Sequence, residues 1–559
     1  MATYKGVEGL IDVLNANGVE NVFFNAGDGQ IEATVAQYRL EGQKAPRLVL
    51  CLHESAALSA AHASYMISGK PQVVMVSSEL GTLQLGAGGH NAYWGRIPVI
   101  LWAGQMAGPH RVNWKGEPFD QGLMLRNFVK WDHTLTPNEP VTEVLQKAFA
   151  TALTEPRGPV YLVYPRGTSS AQVPKVEFSP ATEHIGKTPL DLGKLREAAD
   201  ALIKAENPLI VAASTGRYHD SVDSLVQLAE TLCAPVLTGQ IYMNFPTSHP
   251  LWAGGEGAAG FPRRNAFIRN ADAILALDYD TAYAAREQSL PNVKVIKIGP
   301  DEFTAGRPMW NRGADTFIKA DDCREVIPAL TRLISERLTP QRRAQLNERS
   351  ERLKAEIEKQ RADWRSKATS AAANKPISPD WLSRCVDEVI KDDDILVNFV
   401  ISHWASPLEQ IQRNKPGTLL TNAGGALQWA LAAAVGAKIS APDKTVVCLL
   451  SDGGFMWATP VATLWTARAY KAPFLAVIFN SQSYGYHHIP GLEKFGERAI
   501  FEGGWSHKPQ ADFTLIARSC GAYGRLVEDP ADVKPALKEG LRQVRRGRAA
   551  VLDVRVSAP

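Results

Sequence analysis

The chain has 559 residues, 45% hydrophobic and 21% charged, with a formal net charge of +3; this is ordinary globular composition with length for about three domains. So balanced a charge, with no basic tract interleaved with aromatics, excludes nucleic acid as an expected partner, and no apolar run reaches the roughly 18 residues that a membrane-spanning helix needs. The cysteines, Cys51, Cys233, Cys323, Cys385, Cys448 and Cys520, stand at no metal-ligand spacing and read as reduced core thiols; the N-terminus, Met1 to Gly6, lacks the apolar core of a signal peptide, so a cytoplasmic location is expected.

From about Gly6 to Gly18, Val7, Leu10, Ile11, Val13 and Leu14 share one face of an amphipathic helix. Val22-Phe23-Phe24 then reads as a strand, ending in the polar turn Asn25-Ala26-Gly27-Asp28-Gly29. Leu48–Leu52 is a second strand, followed by His53-Glu54 and a small-residue helix, Ser55–Ser68. Gln72–Ser77 is a third, leading into Ser78-Glu79-Leu80-Gly81-Thr82, and Ile97–Trp102 is a fourth. Short apolar runs alternating with helical segments predict a doubly wound α/β unit that ends near Val163-Tyr164-Pro165.

Residues 166–190 are polar and dotted with proline, as a linker would be. Leu209–Ala213, Pro235–Leu237, Ala273–Leu277 and Val293–Ile298 predict the strands of a second α/β unit. Its one basic cluster, Arg263-Arg264 with Arg269, suits a solvated surface or a phosphate seat. Leu346 to Ala372 is charged and alanine-rich and reads as a solvated connecting helix. A third unit begins at Ile377, with strands Ile395–Val400, Gly417–Leu420, Thr445–Leu450, Phe474–Phe479 and Val551–Val554. The expectation is three doubly wound parallel-sheet domains, at 1–170, 190–338 and 375–559, the first and third alike in kind.

The chemistry concentrates where these strands end. After Thr445–Leu450 comes Ser451-Asp452-Gly453-Gly454, then a helix-length segment to about Ala472; after Phe474–Phe479 comes Asn480-Ser481-Gln482-Ser483-Tyr484-Gly485. Ligands bind beyond the carboxyl ends of parallel strands. A carboxylate, an amide and hydroxyls converging there beside bare backbone N–H groups suit a hard cation bridging to a diphosphate. In the first unit Glu54 precedes Ser55-Ala56-Ala57, whose tiny side chains let a ligand pack close.

Taken together, these separated motifs, in this order, resemble the thiamine-diphosphate-dependent enzymes, in particular the acetolactate synthase, pyruvate oxidase and 2-oxo-acid decarboxylase group, and the resemblance covers essentially the whole chain. It implies pyrimidine-binding, middle and diphosphate-binding domains in that order. It makes Glu54 the acid that protonates the cofactor's aminopyrimidine, with Gly81 and Gln84, in Gly81-Thr82-Leu83-Gln84, approaching the same ring. In Gly424-Gly425-Ala426-Leu427-Gln428, Gly425 offers its carbonyl to the amino group and Leu427 wedges the cofactor into its bent shape. Ser402, His403, Gly453, Gly454 and Tyr484 attend the diphosphate, and Asp452 binds Mg²⁺. Ser483 is expected to add its backbone carbonyl to the metal. Two departures stand out. Ser451 replaces a glycine, and Asn480-Ser481 stands where the family has paired asparagines, at a longer distance from Asp452 than the resemblance implies, so the second metal ligand is Asn480 or Ser481.

The resemblance further implies proton relays at Asp28, His110, His487 and His488, and a substrate-gripping loop holding Trp114, Glu117 and Gln121. The substrate is expected to be a 2-oxo acid, decarboxylated or carboligated; alternatively a 2-hydroxyacyl-CoA or cyclic diketone is cleaved, with the basic middle cluster on CoA phosphates. A cofactor-binding relative without activity is the remote third reading. Some relatives carry FAD, which nothing here demands. Active sites shared between the pyrimidine domain of one chain and the diphosphate domain of another imply a homodimer or homotetramer.

Overall fold

The computed structural model describes residues 3–25, 27, 29–105, 120–136, 139–165, 167–239, 241–255, 265–279, 293–300, 314–485 and 492–558. Each apolar run read above as a strand belongs to one of three six-stranded parallel sheets. A short strand, β1 (Thr3–Lys5), precedes the first sheet, which holds β2 (Asn21–Asn25), β3 (Arg47–Leu50), β4 (Gln72–Val76), β5 (Val99–Gln105), β6 (Trp131–Thr134) and β7 (Val160–Pro165) in the order β3-β2-β4-β5-β7-β6. Within the stretch expected to be a linker, β8 (Gln172–Pro174) returns to pair antiparallel with β1.

The middle sheet holds β9 (Pro208–Ala212), β10 (Val236–Thr238), β11 (Trp252–Gly255), β12 (Ala273–Leu277), β13 (Lys294–Gly299) and β14 (Thr316–Lys319), ordered β11-β10-β9-β12-β13-β14. The third holds β15 (Ile395–Phe399), β16 (Leu419–Leu420), β17 (Val446–Ser451), β18 (Leu475–Asn480), β19 (Tyr523–Val527) and β20 (Ala550–Arg555), ordered β16-β15-β17-β18-β20-β19. Counted within each unit, the first and third sheets share one strand order, and the middle sheet has the order of a dinucleotide-binding fold. Five strands of the three sheets were not among the runs read above: β6, β7, β11, β14 and β19, of which all but β7 are edge strands.

The helices that matter for function are α1 (Gly6–Ala16), α2 (Glu54–Ser68), α3 (Ser78–Gln84), α4 (Gly86–Trp94), α5 (Pro340–Ser370), α6 (Trp429–Ser440), α7 (Asp452–Trp457) and α8 (Pro460–Ala469). Two differ from expectation. The connector α5 begins earlier, where the Thr339 side chain caps it and Pro340 occupies its first turn. Nor is it merely solvated, because Arg349 and Arg361 are buried. Arg349 donates to the carbonyls of Ala205, Glu206 and Cys233, and Arg361 to those of Thr247 and Ser248. The segment after Asp452 is two helices, broken where Thr459 turns left-handed (φ 45°) before Pro460. The residue before a proline disfavours right-handed helical dihedrals.

The first and third sheets are joined by α2 crossing α6. Buried small residues line the contact: Ala57, Ala60, Ala61, Ala433, Ala434 and Gly436. A Cβ at Gly436 would run into the Ala60 carbonyl oxygen, so the two backbones touch. Ser64 and Ser440 hydroxyls pair at 2.5 Å. Among the described residues no helix is long and apolar enough to cross a membrane.

His62 sits in this seam, fully enclosed, its ring edge-on to Trp429 at 5.4 Å and both ring nitrogens without a partner. Burial drives its pKa down to about 3 from 6.5. Protonation therefore favours the unfolded chain: stability is complete above pH 6.5 and is lost as the pH falls toward 3. At pH 4.5 this one group should cost roughly 3 kcal/mol. His62→Leu is expected to blunt the fall in urea midpoint between pH 7 and 4.5; an equally steep fall in both proteins would contradict the assignment.

Candidate active site

The first sheet presents Glu54 at the carboxyl end of β3. Leu52 turns left-handed (φ 53°), and His53 caps α2 by accepting from Ser55 N at 3.2 Å. Such a turn strains a leucine by about 1–3 kcal/mol, and it sets Glu54 as the first residue of α2. Asn25 Nδ2, at the end of β2, donates to Glu54 Oε1 at 3.1 Å. The other oxygen lies 4.0 Å from His53 Nδ1, and the Glu54 side chain is 13% exposed. Gly81 is needed beside it: a Cβ there would stand 2.9 Å from Val76 Cβ and 3.4 Å from Glu54 Oε1. Gln84 lies exposed at the end of α3. Gln121, expected to face substrate, is instead fully buried; it donates to Tyr161 Oη at 2.9 Å and Thr82 Oγ1 at 3.2 Å, so it packs α3 onto β7.

The third sheet offers four adjoining strand ends. Beyond β15, Ser402 is half-buried and His403 is buried. Burial pushes the His403 pKa down to about 4, against the pull of Asp452 and Asp380, so its ring is neutral at pH 7. Beyond β16, Gly425 is exposed in the left-handed region (φ 81°), its N–H donating to Asn422 Oδ1 at 2.7 Å. The loop is pinned from behind by α4 of the same chain: Asn91 accepts from Ala426 N at 3.1 Å and donates to Ala426 O at 3.3 Å. Leu427 is half-buried against the core shared with α2.

β17 and β18 run in register, Ser451 beside Phe479. Asp452 is buried, one oxygen accepting from Gly453 N at 2.9 Å and the other 3.1 Å from His507 Nδ1. Ser451 is the cap of α7, accepting from Gly454 N at 3.2 Å. Gly453 leaves room for two rings: its Cβ would stand 2.8 Å from Tyr484 and 3.3 Å from His507. Gln482 turns left-handed (φ 58°), and Ser481 Oγ donates to Ser483 O at 3.2 Å.

Asn480 and Ser481 are thereby distinguished. The Asn480 amide is engaged on both atoms: Nδ2 donates to Asp553 Oδ1 at 2.6 Å and Gln510 Oε1 at 2.9 Å, while Oδ1 accepts from Gln482 N and Gln510 Nε2. It fastens β18 to β20 and has no free oxygen to offer a cation. Among the described residues, Ser481 Oγ and Ser483 O on the same loop are bonded only to each other's residues.

Asp452, Gly453, Tyr484 and His507 are in mutual contact, and the Ser481–Ser483 turn adjoins them through the β17–β18 register and the backbone of His507. Among the described residues no hydrogen bond or ion pair joins Glu54 to this corner. Asp28, His110, Trp114, Glu117, His487, His488, Arg263 and Arg264 lie outside the described residues, and Arg269 is exposed on the helix Ala266–Asn270. His507 was missed by sequence reasoning. Only backbone pairing brings it here (His507 N to Gln482 O and Tyr484 N to Trp505 O, both 2.9 Å), and no local motif signals that. The corner fits a diphosphate with its cation: the Nε2 atoms of His403 and His507 are buried without a partner, beside a buried carboxylate and two glycines.

Comparison with known proteins matches three family models in order: thiamine pyrophosphate enzyme, N-terminal TPP binding domain, over residues 4–124; central domain, over 195–330; and C-terminal TPP binding domain, over 401–554. The chain is 25% identical to the acetolactate synthase isozyme 3 large subunit of Escherichia coli, over 100% of this chain and 95% of that one. It is also 25% identical to the benzoylformate decarboxylase of Pseudomonas aeruginosa, over 95% of each. Among solved structures, the thiamine diphosphate-dependent 4-hydroxybenzoylformate decarboxylase of Rhodococcus jostii RHA1 superposes with a TM-score of 0.76 at 23% identity, over 100% of both chains.

The two assignments at β18 separate in one experiment. Asn480→Ala leaves Asp553 buried without its donor and should cost about 1–3 kcal/mol, seen as a lower thermal midpoint without cofactor or metal. Ser481→Ala should leave that midpoint unchanged but weaken cation binding. The reverse pattern would restore Asn480 as the ligand.

Proposed function

Because the chain belongs to the thiamine pyrophosphate enzyme family, we propose that it is a Mg²⁺-dependent decarboxylase or carboligase of a 2-oxo acid, releasing CO₂ and passing the remaining fragment to a proton or to an acceptor carbonyl. The observation that carries this reading is a pair of strand ends. Glu54 is oriented by Asn25 in one sheet, and Asp452, His403 and the Ser481–Ser483 turn converge in another of the same strand order.

When bound, thiamine diphosphate supplies an electron sink for the bond next to a carbonyl. The protein supplies the rest. Glu54 holds a proton toward the aminopyrimidine; Asn25 occupies one of its oxygens and leaves the other to act. The Gly425 carbonyl would receive the amino group, and half-buried Leu427 would offer the cofactor an apolar contact. Asp452, Ser481 Oγ and the Ser483 carbonyl hold the cation, oxygen ligands suited to Mg²⁺. His403 and the backbone at Gly453 and Gly454 meet the diphosphate.

We read the site as shared between two chains of a homodimer or homotetramer. Two features support this: Glu54 has no polar contact with its own chain's third sheet among the described residues, and an apolar surface is left uncovered on both units. Leu80 (69% exposed) and Leu83 on α3, and Met456, Trp457 (56% exposed), Val461 and Trp465 on α7 and α8, are apolar side chains that a second copy would cover.

With thiamine diphosphate and Mg²⁺, the purified protein should release CO₂ from at least one member of a 2-oxo acid panel spanning pyruvate to benzoylformate. Glu54→Gln should lower kcat by about 10²–10⁴-fold while still binding cofactor. Cleavage of 2-hydroxyacyl-CoA esters with no turnover of any oxo acid would contradict the proposed substrate class.

A further inference from the structure

At the corner of Asp452 the resemblance implies an asparagine where this chain has Ser481, and the structure adds a histidine there. Position 481 carries a short hydroxyl, and the neighbouring amide, Asn480, is spent on β20. On the open side of Asp452 stands an imidazole from a segment 55 residues away in sequence. We infer that His507 Nδ1 is a ligand of the divalent cation, in the place of the missing amide, and that it shifts the site's preference from Mg²⁺ toward Mn²⁺ or Co²⁺. This rests on the reading of Asp452 as a cation ligand.

The segment that carries His507 is built onto the metal loop. Ser506 bridges Ser483, Trp505 O accepts from Tyr484 N, and His507 N donates to Gln482 O. The backbone that presents the Ser483 carbonyl thus also presents the ring. The ring's orientation is fixed on two faces: Tyr484 meets it edge-on at 4.2 Å, and Gly453, having no Cβ, lets it approach. Its Nδ1 stands 3.1 Å from Asp452 Oδ2, both side chains being nearly enclosed.

The spacing suits shared coordination. Two atoms bound at about 2.1 Å on adjacent vertices of an octahedron are about 3.0 Å apart. The second pair in the corner, Ser481 Oγ and Ser483 O, is spaced alike at 3.2 Å. The ion would so receive one carboxylate, one hydroxyl, one carbonyl and one imidazole, with waters or diphosphate oxygens completing the shell. A nitrogen ligand favours Mn²⁺ and Co²⁺ over Mg²⁺, which suits oxygen.

Electron spin echo envelope modulation of the full-length protein loaded with thiamine diphosphate and Mn²⁺ tests this without relying on activity. The unsubstituted protein should show modulation from a directly bound imidazole nitrogen. It should change to the nitrogen-15 pattern when histidine alone is labelled, persist in His403→Asn and vanish in His507→Asn. Calorimetric titration should show the Mn²⁺-over-Mg²⁺ affinity ratio falling at least tenfold in His507→Asn, since even an outer-shell partner is typically worth about 10–100-fold. The labelled, unsubstituted protein keeps the test valid if that variant fails to fold. Mn²⁺ bound in an Asp452-dependent way without histidine-nitrogen modulation would overturn the inference and make His507 an orienting partner of Asp452. Mn²⁺ binding unchanged by Asp452→Asn would instead overturn the reading of the cation site itself.

Discussion

The crossing of α2 over α6 is the contact on which the rest depends. At Gly436 the helices approach until backbone meets backbone, with alanines filling both sides. Each helix starts at a loop of the candidate site: α2 begins with Glu54, and α6 follows the Gly425–Leu427 loop. Close packing of small residues leaves little freedom to re-seat, so one contact fixes how the first and third units of a chain face each other. The same seam encloses His62 without a partner and makes the fold sensitive to acid. On the loop side, Asn91 of α4 grips Ala426 from behind, which leaves the front of the loop for a ligand and, on our reading, for Glu54 of another chain.

At the opposite corner the constraint is charge. Among the described residues, buried Asp452 bonds a backbone N–H and a histidine. A buried carboxylate is costly without a charged or hydrogen-bonded partner, and a divalent cation would answer that cost with two positive charges. The neighbouring Asp553, pushed up in pKa by burial, is answered differently, by the Asn480 amide. Two acids on either side of β18 are thus handled separately: Asp553 on β20 is held by an amide, and Asp452 after β17 faces a histidine.

Much of this was legible in the chain. The three α/β units and the strand ends carrying Glu54, Gly425 and Asp452 follow from enclosed apolar runs bounded by polar turns, because parallel strands are buried on both faces. The edge strands β6, β14 and β19 were not legible, since they are only partly enclosed, and β11, though buried, is a Trp-Ala-Gly-Gly stretch with no apolar run to mark it. Thr459-Pro460 could have signalled the helix break by proline chemistry alone. Asn480 could not be told from Ser481, because its partners Asp553 and Gln510 come from distant segments. His507 was hidden for the same reason: its place is set by backbone pairing across the end of the sheet.

The central claim is that Glu54 and Asp452 of one working site come from different chains. Co-expressing Glu54→Gln and Asp452→Asn chains with different tags, and isolating the mixed oligomer, tests it directly. If the site is shared, one site per mixed dimer regains both intact residues, and activity returns although each variant alone is inactive. If each site is built within one chain, every site in the mixture carries a defect, and the mixed oligomer stays as inactive as its parents.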